Sequence, residues 1–144
     1  MRQQITFVVY GEPVAKGRPR FFRRGPYVGV YTPDKTRNAE TGMYFQASAA
    51  KPAKPWEGAV RMVIAVYKSI PKSWSKDKAS KAELGYIQPV TKPDWDNYGK
   101  LVSDALNGLY YRDDSQVVEV QVVKKYSTEP RTVVVVEGDD EVEK

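Results

Sequence analysis

Five aspartates lie within residues 92–119, which read KPDWDNYGKLVSDALNGLYYRDDSQVVE. Asp94 and Asp96 are two residues apart, and Asp113 and Asp114 are adjacent. Crowded carboxylates repel one another, and a bound divalent cation reverses that cost. Hard oxygen ligands suit Mg²⁺ or Mn²⁺, and Mg²⁺ usually takes one or two carboxylates and leaves its other positions to water and phosphate. The stretch therefore indicates a candidate site for metal-assisted chemistry on a phosphate.

The composition limits which groups can catalyse a reaction. The 144-residue chain has no cysteine and no histidine. This excludes disulfides, thiolate nucleophiles, imidazole bases and histidine metal ligands. Any catalysis must therefore use carboxylates, lysines, hydroxyls or a hard metal ion. If a metal ion is used, the nucleophile would be a metal-bound water with a lowered pKa.

The charge of the chain is unevenly distributed. The net charge is +5, and residues 137–144 hold five acids and one base, so residues 1–136 carry +9. A folded body with this excess attracts polyanions, of which nucleic acid is the commonest. Charge that serves only solubility is the alternative interpretation.

Spacing predicts that the polar residues of the acidic stretch share one helix. Residues four apart lie on the same helix face, so Asp96, Lys100 and Asp104 form a polar stripe. Lys100, one turn from Asp96, is placed to neutralise charge that grows on a phosphate. Asp114 joins Asp94 and Asp96 only if the following strand packs back near the start of this helix.

Each acidic residue also has a purely structural interpretation. Asp96 can be a helix cap stabilised by the helix dipole, and its pairing with Lys100 can be an ordinary surface ion pair. The Asp-Asp-Ser sequence at residues 113–115 is common turn chemistry. Asp104 is best explained as a solvated residue or one that supports the site indirectly.

Hydrophobic periodicity predicts a single α+β domain over residues 1–144, with a mixed sheet and two or three helices. Strands are predicted at residues 5–10, 59–67, 117–126 and 132–137, and a two-stranded ribbon that turns at residues 24–26. Helices are predicted at residues 34–50, within residues 72–85 and at residues 96–107. The last two strands are expected to form a hairpin around residues 128–130, and the acidic tail at residues 137–144 is expected to be flexible.

The helix at residues 96–107 has the clearest pattern. Its apolar residues are spaced for one face of a 3.6-residue period: Trp95, Tyr98, Leu101, Val102, Ala105, Leu106 and Leu109.

A basic segment lies between Glu12 and Asp34, where there are five bases and no acid. Guanidinium groups suit bidentate phosphate contacts, and exposed aromatic rings can stack on unpaired bases. Burial of the interleaved rings in the core is the alternative for Phe21, Phe22, Tyr27 and Tyr31. The candidate DNA-binding residues of this segment are Lys16, Arg18, Arg20, Arg23 and Arg24.

No apolar run approaches the roughly 20 residues needed to cross a bilayer, and the apolar part of the N-terminus is too short for a signal peptide. The expectation is a cytoplasmic protein with no membrane partner.

Two motifs of the chain resemble the RusA family of Holliday junction resolvases. KPDWDNYGKLVSDALNG followed by RDDSQV resembles the family signature, which has the form KPDxDN, then K, then DAL, then DDSQV. GEPVAKGRPRF also resembles the N-terminal segment of that family. The resemblance extends from residue 11 to about residue 123 and is most specific over residues 92–117.

The resemblance implies specific roles for the acidic stretch. Asp94, Asp96 and Asp114 match essential metal-binding carboxylates, and Lys100 matches a lysine needed for cleavage. Asp113 matches the first acid of the pair and is a further candidate metal ligand, and Lys92 of the KPD motif is a further candidate DNA contact. The family implies an Mg²⁺-dependent homodimer, often encoded by phages or prophages, that cuts four-way DNA junctions by paired nicks. Two identical sites on a two-fold axis would place such nicks symmetrically.

Three rival functions share parts of this pattern. A non-catalytic module that binds branched DNA would explain the basic surface and leaves the acids unexplained. A covalent strand-transferase could use Tyr110 or Tyr111 as nucleophile, although such enzymes usually also need histidine. A less selective metal nuclease acting on flaps or forks would use the same acids.

Overall fold

The computed structural model describes residues 2–17, 20–31 and 34–141, which contain six strands and three helices. The strands are β1 (Arg2–Tyr10), β2 (Arg20–Arg24), β3 (Tyr27–Tyr31), β4 (Val60–Ser69), β5 (Val117–Ser127) and β6 (Arg131–Asp139). The helices are α1 (Asp34–Ala50), α2 (Lys76–Glu83) and α3 (Trp95–Leu106), and a 3₁₀ turn at Asp114–Gln116 precedes β5. Residues 137–139, part of the tail predicted to be flexible, therefore belong to β6.

Four of the strands form one mixed sheet, in the order β1-β6-β4-β5. The pairs β1/β6 and β6/β4 are antiparallel, whereas β4/β5 is parallel. Strands β2 and β3 form the separate ribbon, which turns at Gly25 with a φ of 57°. The predicted α+β class with a mixed sheet and three helices is therefore confirmed. The homodimer stays a prediction.

The predicted hairpin between the last two strands is wrong. Strands β5 and β6 follow each other in the chain, but β4 lies between them in the sheet. Neighbouring strands are about 4.8 Å apart, so residues 128–130 bridge roughly twice that separation. Strand β6 takes a central position because Val134 and Val136 are fully buried, whereas β5 has the more exposed and more polar pattern of an edge strand.

The core lies between the sheet and helices α1 and α3. Helix α1 packs against α3 and β1, and α3 packs against β5. Every second residue of β4 faces this core, namely Val60, Met62, Ile64 and Val66. Helix α3 contributes Tyr98, Leu101, Val102, Ala105 and Leu106. None of the helices in the described ranges combines the length and the apolar character needed to cross a membrane.

Trp56 fills the end of the core near the N-terminus of β1. Its indole is fully buried, stands edge-on to Tyr110 with ring centroids 5.7 Å apart, and donates a hydrogen bond from Nε1 to Gln3 Oε1 at 3.0 Å. The backbone of Gly138 in β6 passes directly against this ring. A Cβ at position 138 would overlap Cε3 and Cδ2 of Trp56, so only glycine fits there.

Replacing Gly138 by alanine should destabilise the fold. We expect Gly138→Ala to lower the free energy of unfolding by about 3 kcal/mol, because the buried ring cannot retreat from a close-packed core. Gly42→Ala is the matched control, since Gly42 lies in α1, where an added Cβ would meet nothing within 4 Å. The control should be neutral or stabilise by up to about 1 kcal/mol. Urea unfolding followed by circular dichroism measures both, and equal stability of the two variants would contradict the packing described here.

Candidate active site

A surface groove of about 840 Å³ lies at the start of helix α3. Asp94 and Asp96, the two acids of the predicted pair, both line it. The other lining residues are Val90, Thr91, Lys92, Trp95 and Lys124. The groove therefore combines two carboxylates, two lysines and an aromatic ring on one open surface.

Two lysines fix the path of the chain into this groove. Lys124 Nζ donates hydrogen bonds to the carbonyl oxygens of Thr91 at 2.7 Å and Pro93 at 2.9 Å. Lys68 Nζ donates to the carbonyl oxygen of Lys92 at 2.9 Å. Burial lowers the pKa of Lys68, and the charge of Lys124 lowers it further. The backbone just before Asp94 is therefore held by charged hydrogen bonds rather than by regular secondary structure.

Lys124 was missed by the sequence analysis. It lies in β5, far along the chain from the acidic pair. Its only sequence signal is a pair of adjacent lysines in a strand that is otherwise rich in valine. Successive strand residues point to opposite faces, so one of the two lysines had to face the helix side of the sheet. Which one does so depends on the sheet register.

Asp94 and Asp96 occupy different positions at the start of α3. Asp94 is the N-cap residue, but its carboxylate makes no capping bond and instead accepts hydrogen bonds from Lys92 Nζ at 2.9 and 3.1 Å. Asp96 lies in the first turn and is exposed. A negative charge there is stabilised by the helix dipole. The N-cap position that was considered for Asp96 is therefore occupied by Asp94.

One turn further along, Lys100 lies between two more carboxylates. Its Nζ is 3.1 Å from Asp104 Oδ1 and 4.0 Å from Asp114 Oδ2. Asp114 belongs to the 3₁₀ turn that leads into β5, and β5 packs against α3, so this turn lies beside the helix. The structure thus brings Asp114 to Lys100.

Asp104 joins α3 to the N-terminal segment. It accepts a hydrogen bond from Lys16 Nζ in addition to its ion pair with Lys100, and Lys16 also lies 3.1 Å from Glu40 Oε1 of α1. Burial by itself would raise the pKa of Asp104, but the hydrogen bonds from Lys16 and Lys100 outweigh it and hold the pKa below 3.8. The hydrogen bond to Asp104 likewise raises the pKa of Lys16 above 10.5. Lys16, predicted as a DNA contact, is thus engaged in a partly buried ion network.

Asp113 has the turn role that the sequence left open. Its carboxylate accepts a hydrogen bond from the backbone N–H of Ser115 at 3.0 Å. Hydrogen bonding to the Ser115 side chain, and then to this N–H, lowers the pKa of Asp113. Gln116 Oε1 accepts from the N–H groups of Arg112 and Asp113, and Gln116 Nε2 donates to the carbonyl oxygens of Trp56 and Gly58. Gln116 therefore anchors the turn that carries Asp114. The sequence shows Gln116 only as a polar residue of the DDSQV motif and gave no sign of this role.

The donor chemistry of the groove suits a hard cation. Asp94 and Asp96 offer two exposed carboxylates on one open surface, and Mg²⁺ needs only one or two with water and phosphate beside them. Across residues 2–17, 20–31 and 34–141, no three acidic side chains are grouped so that they could hold a metal ion. The convergence of Asp94, Asp96 and Asp114 around a cation, with Asp113 as a further ligand, thus stays a prediction.

Apart from Lys16, the predicted DNA-contact residues fall into three groups. Arg23 and Arg24 are exposed at the turn of the β2–β3 ribbon, where Arg23 Nε also donates to the carbonyl oxygen of Gly25. Lys92 is exposed and paired with Asp94. Arg18 lies outside the described residues, and so does the side chain of Arg20.

The two tyrosines considered as covalent nucleophiles are structural. Tyr110 and Tyr111 are fully buried, and their hydroxyl groups donate to the carbonyl oxygens of Ala47 at 2.9 Å and Ser103 at 2.6 Å. Burial raises the pKa of each phenol to about 12. A phosphate cannot reach either oxygen, so the arrangement argues against a tyrosine-linked intermediate.

A small α+β domain with carboxylates and lysines in one groove has the features of a nucleic-acid enzyme that works through acidic side chains. The family described as endodeoxyribonuclease RusA matches residues 10–137, and the chain belongs to that family. A protein of Bacillus subtilis (strain 168), described as "Uncharacterized protein YqaN", is 48% identical over 134 residues, which is 92% of this chain and 94% of that protein. The family match confirms the resemblance seen in the sequence and supports a function as a DNA endonuclease.

Removing the charge of Asp104 should weaken the fold in a pH-dependent way. We expect Asp104→Asn to lower the free energy of unfolding by about 2 kcal/mol at pH 7, because Lys16 loses a partner in a partly buried site. The pKa of Asp104 is lowered in the folded state, so its contribution is present above pH 3.8 and is lost as the pH falls below that value. Denaturant melts at pH 7 and pH 3 measure the difference from wild type, which should narrow in acid.

The control for this experiment is Asp77→Asn. Asp77 makes the same kind of ion pair with Lys81, four residues on and 3.1 Å away, but on the exposed surface of α2. Exposed pairs contribute little, so the control should stay within about 0.5 kcal/mol of wild type. If both variants lose the same free energy of unfolding, the ion pairs of Asp104 contribute no more to stability than an exposed pair does.

Proposed function

We propose that this protein is an Mg²⁺-dependent, structure-selective endonuclease that resolves four-way DNA junctions by paired symmetric nicks. The observation that carries the proposal is the placement of Asp94 and Asp96 in one groove of a chain that belongs to the RusA endodeoxyribonuclease family. Mn²⁺ is expected to substitute for Mg²⁺, since both are hard ions that prefer oxygen ligands.

Asp94 and Asp96 are the proposed cation ligands, with Asp114 completing the set when DNA and metal are bound. A divalent cation held there supplies a bound water of lowered pKa and polarises the phosphodiester. The carboxylates would fix the position of the cation and, through it, that of the reacting phosphate. The turn anchored by Gln116 sets how close Asp114 comes to α3.

Lys100 is proposed to stabilise the negative charge that grows on the phosphate during cleavage. Its ammonium group is exposed and already lies between the carboxylates of Asp104 and Asp114. A positively charged side chain that is already in position stabilises the developing charge, because no reorganisation of the site is needed during the reaction. Lys92 and the exposed Arg23 and Arg24 are proposed to contact the DNA backbone, as are Arg18 and Arg20.

A homodimer follows from the proposed reaction. Symmetric resolution requires cuts in two strands of like polarity, and two identical sites related by a two-fold axis provide them. Each chain of such a dimer would contribute one copy of the groove that contains Asp94 and Asp96.

Removing either groove carboxylate should abolish cleavage and spare binding. We expect Asp94→Asn and Asp96→Asn each to reduce the cleavage rate about a thousand-fold or more, because metal-ion catalysis contributes several kcal/mol. Junction affinity measured in EDTA should be unchanged or tighter, since a charge that repels phosphate is lost. Cleavage is measured as initial rates on a labelled four-way junction, a fork, a flap and a linear duplex, with Mg²⁺, with Mn²⁺ and with EDTA.

Asp77→Asn is the matched control for these variants. Asp77 lies in the first turn of α2 as Asp96 lies in the first turn of α3, but away from the groove. The control should cut at the wild-type rate. Wild-type rates from both groove variants would rule out this site, and faster cutting of the fork or flap than of the junction would replace the proposed substrate.

The buried tyrosines should be dispensable for cleavage. We expect the double variant Tyr110→Phe, Tyr111→Phe to cut junctions at a rate within a few-fold of wild type while losing about 1 kcal/mol of stability for each hydrogen bond removed. Denaturing gels of the wild-type reaction should show no protein attached to DNA. A covalent adduct that disappears in the double variant would overturn the hydrolytic mechanism.

A further inference from the structure

Trp95 presents its indole ring to solvent. The residue is 63% exposed, whereas Trp56 is fully buried and Trp74 stands edge-on to Tyr126 with ring centroids 5.2 Å apart. A large apolar side chain left in water forgoes about 2 kcal/mol or more of burial free energy. Trp95 belongs by spacing to the apolar face of α3, so its exposure needs a separate explanation.

The position of Trp95 ties that exposure to the candidate active site. It is the first residue of α3, directly between Asp94 and Asp96, and it lines the same groove. Val90, which is 93% exposed, adds to the apolar lining of the groove. Lys92 and Lys124 line it as well. An apolar ring beside positive charge is therefore presented where the DNA strand is to be cut.

This combination of surfaces suits a nucleotide whose base has an uncovered face. Aromatic side chains stack on such bases with about 1–3 kcal/mol per base, largely independent of sequence. Lysines can then hold the neighbouring phosphate. The volume of about 840 Å³ lies within the ~300–1,000 Å³ typical of small-molecule sites.

Uncovered base faces distinguish branched DNA from linear DNA. In the interior of a linear duplex both faces of every base are covered by stacking. Where the arms of a junction open, the last base pair of each arm loses one stacking neighbour. A stacking residue in the groove would therefore favour a branch point over the interior of a duplex.

We propose that Trp95 is a stacking platform for a nucleobase at the branch point and that it gives the groove its preference for branched over linear DNA. The proposal rests on the proposed function for its substrate and adds the group that recognises the branch. Because Trp95 separates the two groove carboxylates in the chain, the stacked base places a phosphodiester close to the branch beside the cation site proposed at those carboxylates.

The first test compares binding of branched and linear DNA. Trp95→Ala should bind a four-way junction about five- to hundred-fold more weakly in EDTA. The change should be less than about two-fold on a long linear duplex, whose interior base pairs have no uncovered face. Trp95→Phe, which keeps a ring, should remain within about three-fold of wild type. Tyr86→Ala is the matched control, because Tyr86 is 80% exposed and is not among the groove residues.

The second test asks whether the partner of Trp95 is a base. A four-way junction that carries abasic nucleotides at the branch point should lose about as much affinity for wild type as Trp95→Ala loses on the intact junction. Trp95→Ala should lose little more on the abasic junction, because both changes remove the same contact. Fully additive losses would overturn the proposal.

The remaining outcomes separate this proposal from the proposed function. Equal losses on junction and duplex would show a backbone contact, and a lower mass of Trp95→Ala in analytical ultracentrifugation would show a subunit contact; either overturns the stacking role. Unchanged junction binding overturns it as well. If wild type meets the binding expectations but does not cut in Mg²⁺, the nuclease function fails while the stacking role stands. If wild type cuts and Trp95→Ala keeps full selectivity, the stacking role alone fails.

Discussion

Helix α3 must bury one side against the sheet and keep charges on the other, and the site depends on this division. The buried side includes Leu101, Val102 and Leu106, all essentially inaccessible to solvent. Successive charges on the other side are four residues apart, a rise of about 6 Å along the axis. Because a packed helix cannot slide or turn without disrupting the core, the spacing of the charged groups is set by core packing.

The second constraint is electrostatic balance within a basic body. Asp94 lies against Lys92, and Asp114 lies near Lys100, so each of these two acids has a positive partner. Asp104 goes further and shares two lysines, one of which reaches it from the N-terminal segment. That contact makes the N-terminal segment a support of the site, although it is distant from the acidic stretch in sequence.

Much of the fold could be predicted from local pattern. The predicted bounds of α1 match the structure, and periodicity found the buried face of α3 from Tyr98 onward. Strand pairing could not be predicted, because the position of β4 between β5 and β6 is decided by contacts between residues far apart in the chain. The exposure of Trp95 could not be predicted for the same reason, since periodicity gives the direction of a side chain but not where the neighbouring layer ends.

The candidate site was predictable to a similar degree. Residue type and spacing singled out the carboxylates and Lys100 because their chemistry is distinctive. The supporting groups were harder to find, because Lys124 and Gln116 act by binding backbone carbonyl and amide groups that come close only after folding. Asp113 is a different case. It belongs to a motif typical of metal ligands, but its carboxylate accepts a local hydrogen bond from the N–H of Ser115. Sequence alone could not decide between these two roles.

The lysines differ in how freely they can exchange an acidic partner for a phosphate. Lys92 is 84% exposed, and an ion pair in water contributes little, so its carboxylate can be replaced by a DNA phosphate at small cost. Lys16 is partly buried and binds two acids from two helices, so the same exchange would take a cation from Glu40 and leave Asp104 with Lys100 alone, both in partly buried positions. Lysines that look alike in sequence therefore differ by their burial. Exposed ones can exchange their carboxylate partner for a DNA phosphate, whereas partly buried ones keep their ion pairs and hold the helix in place.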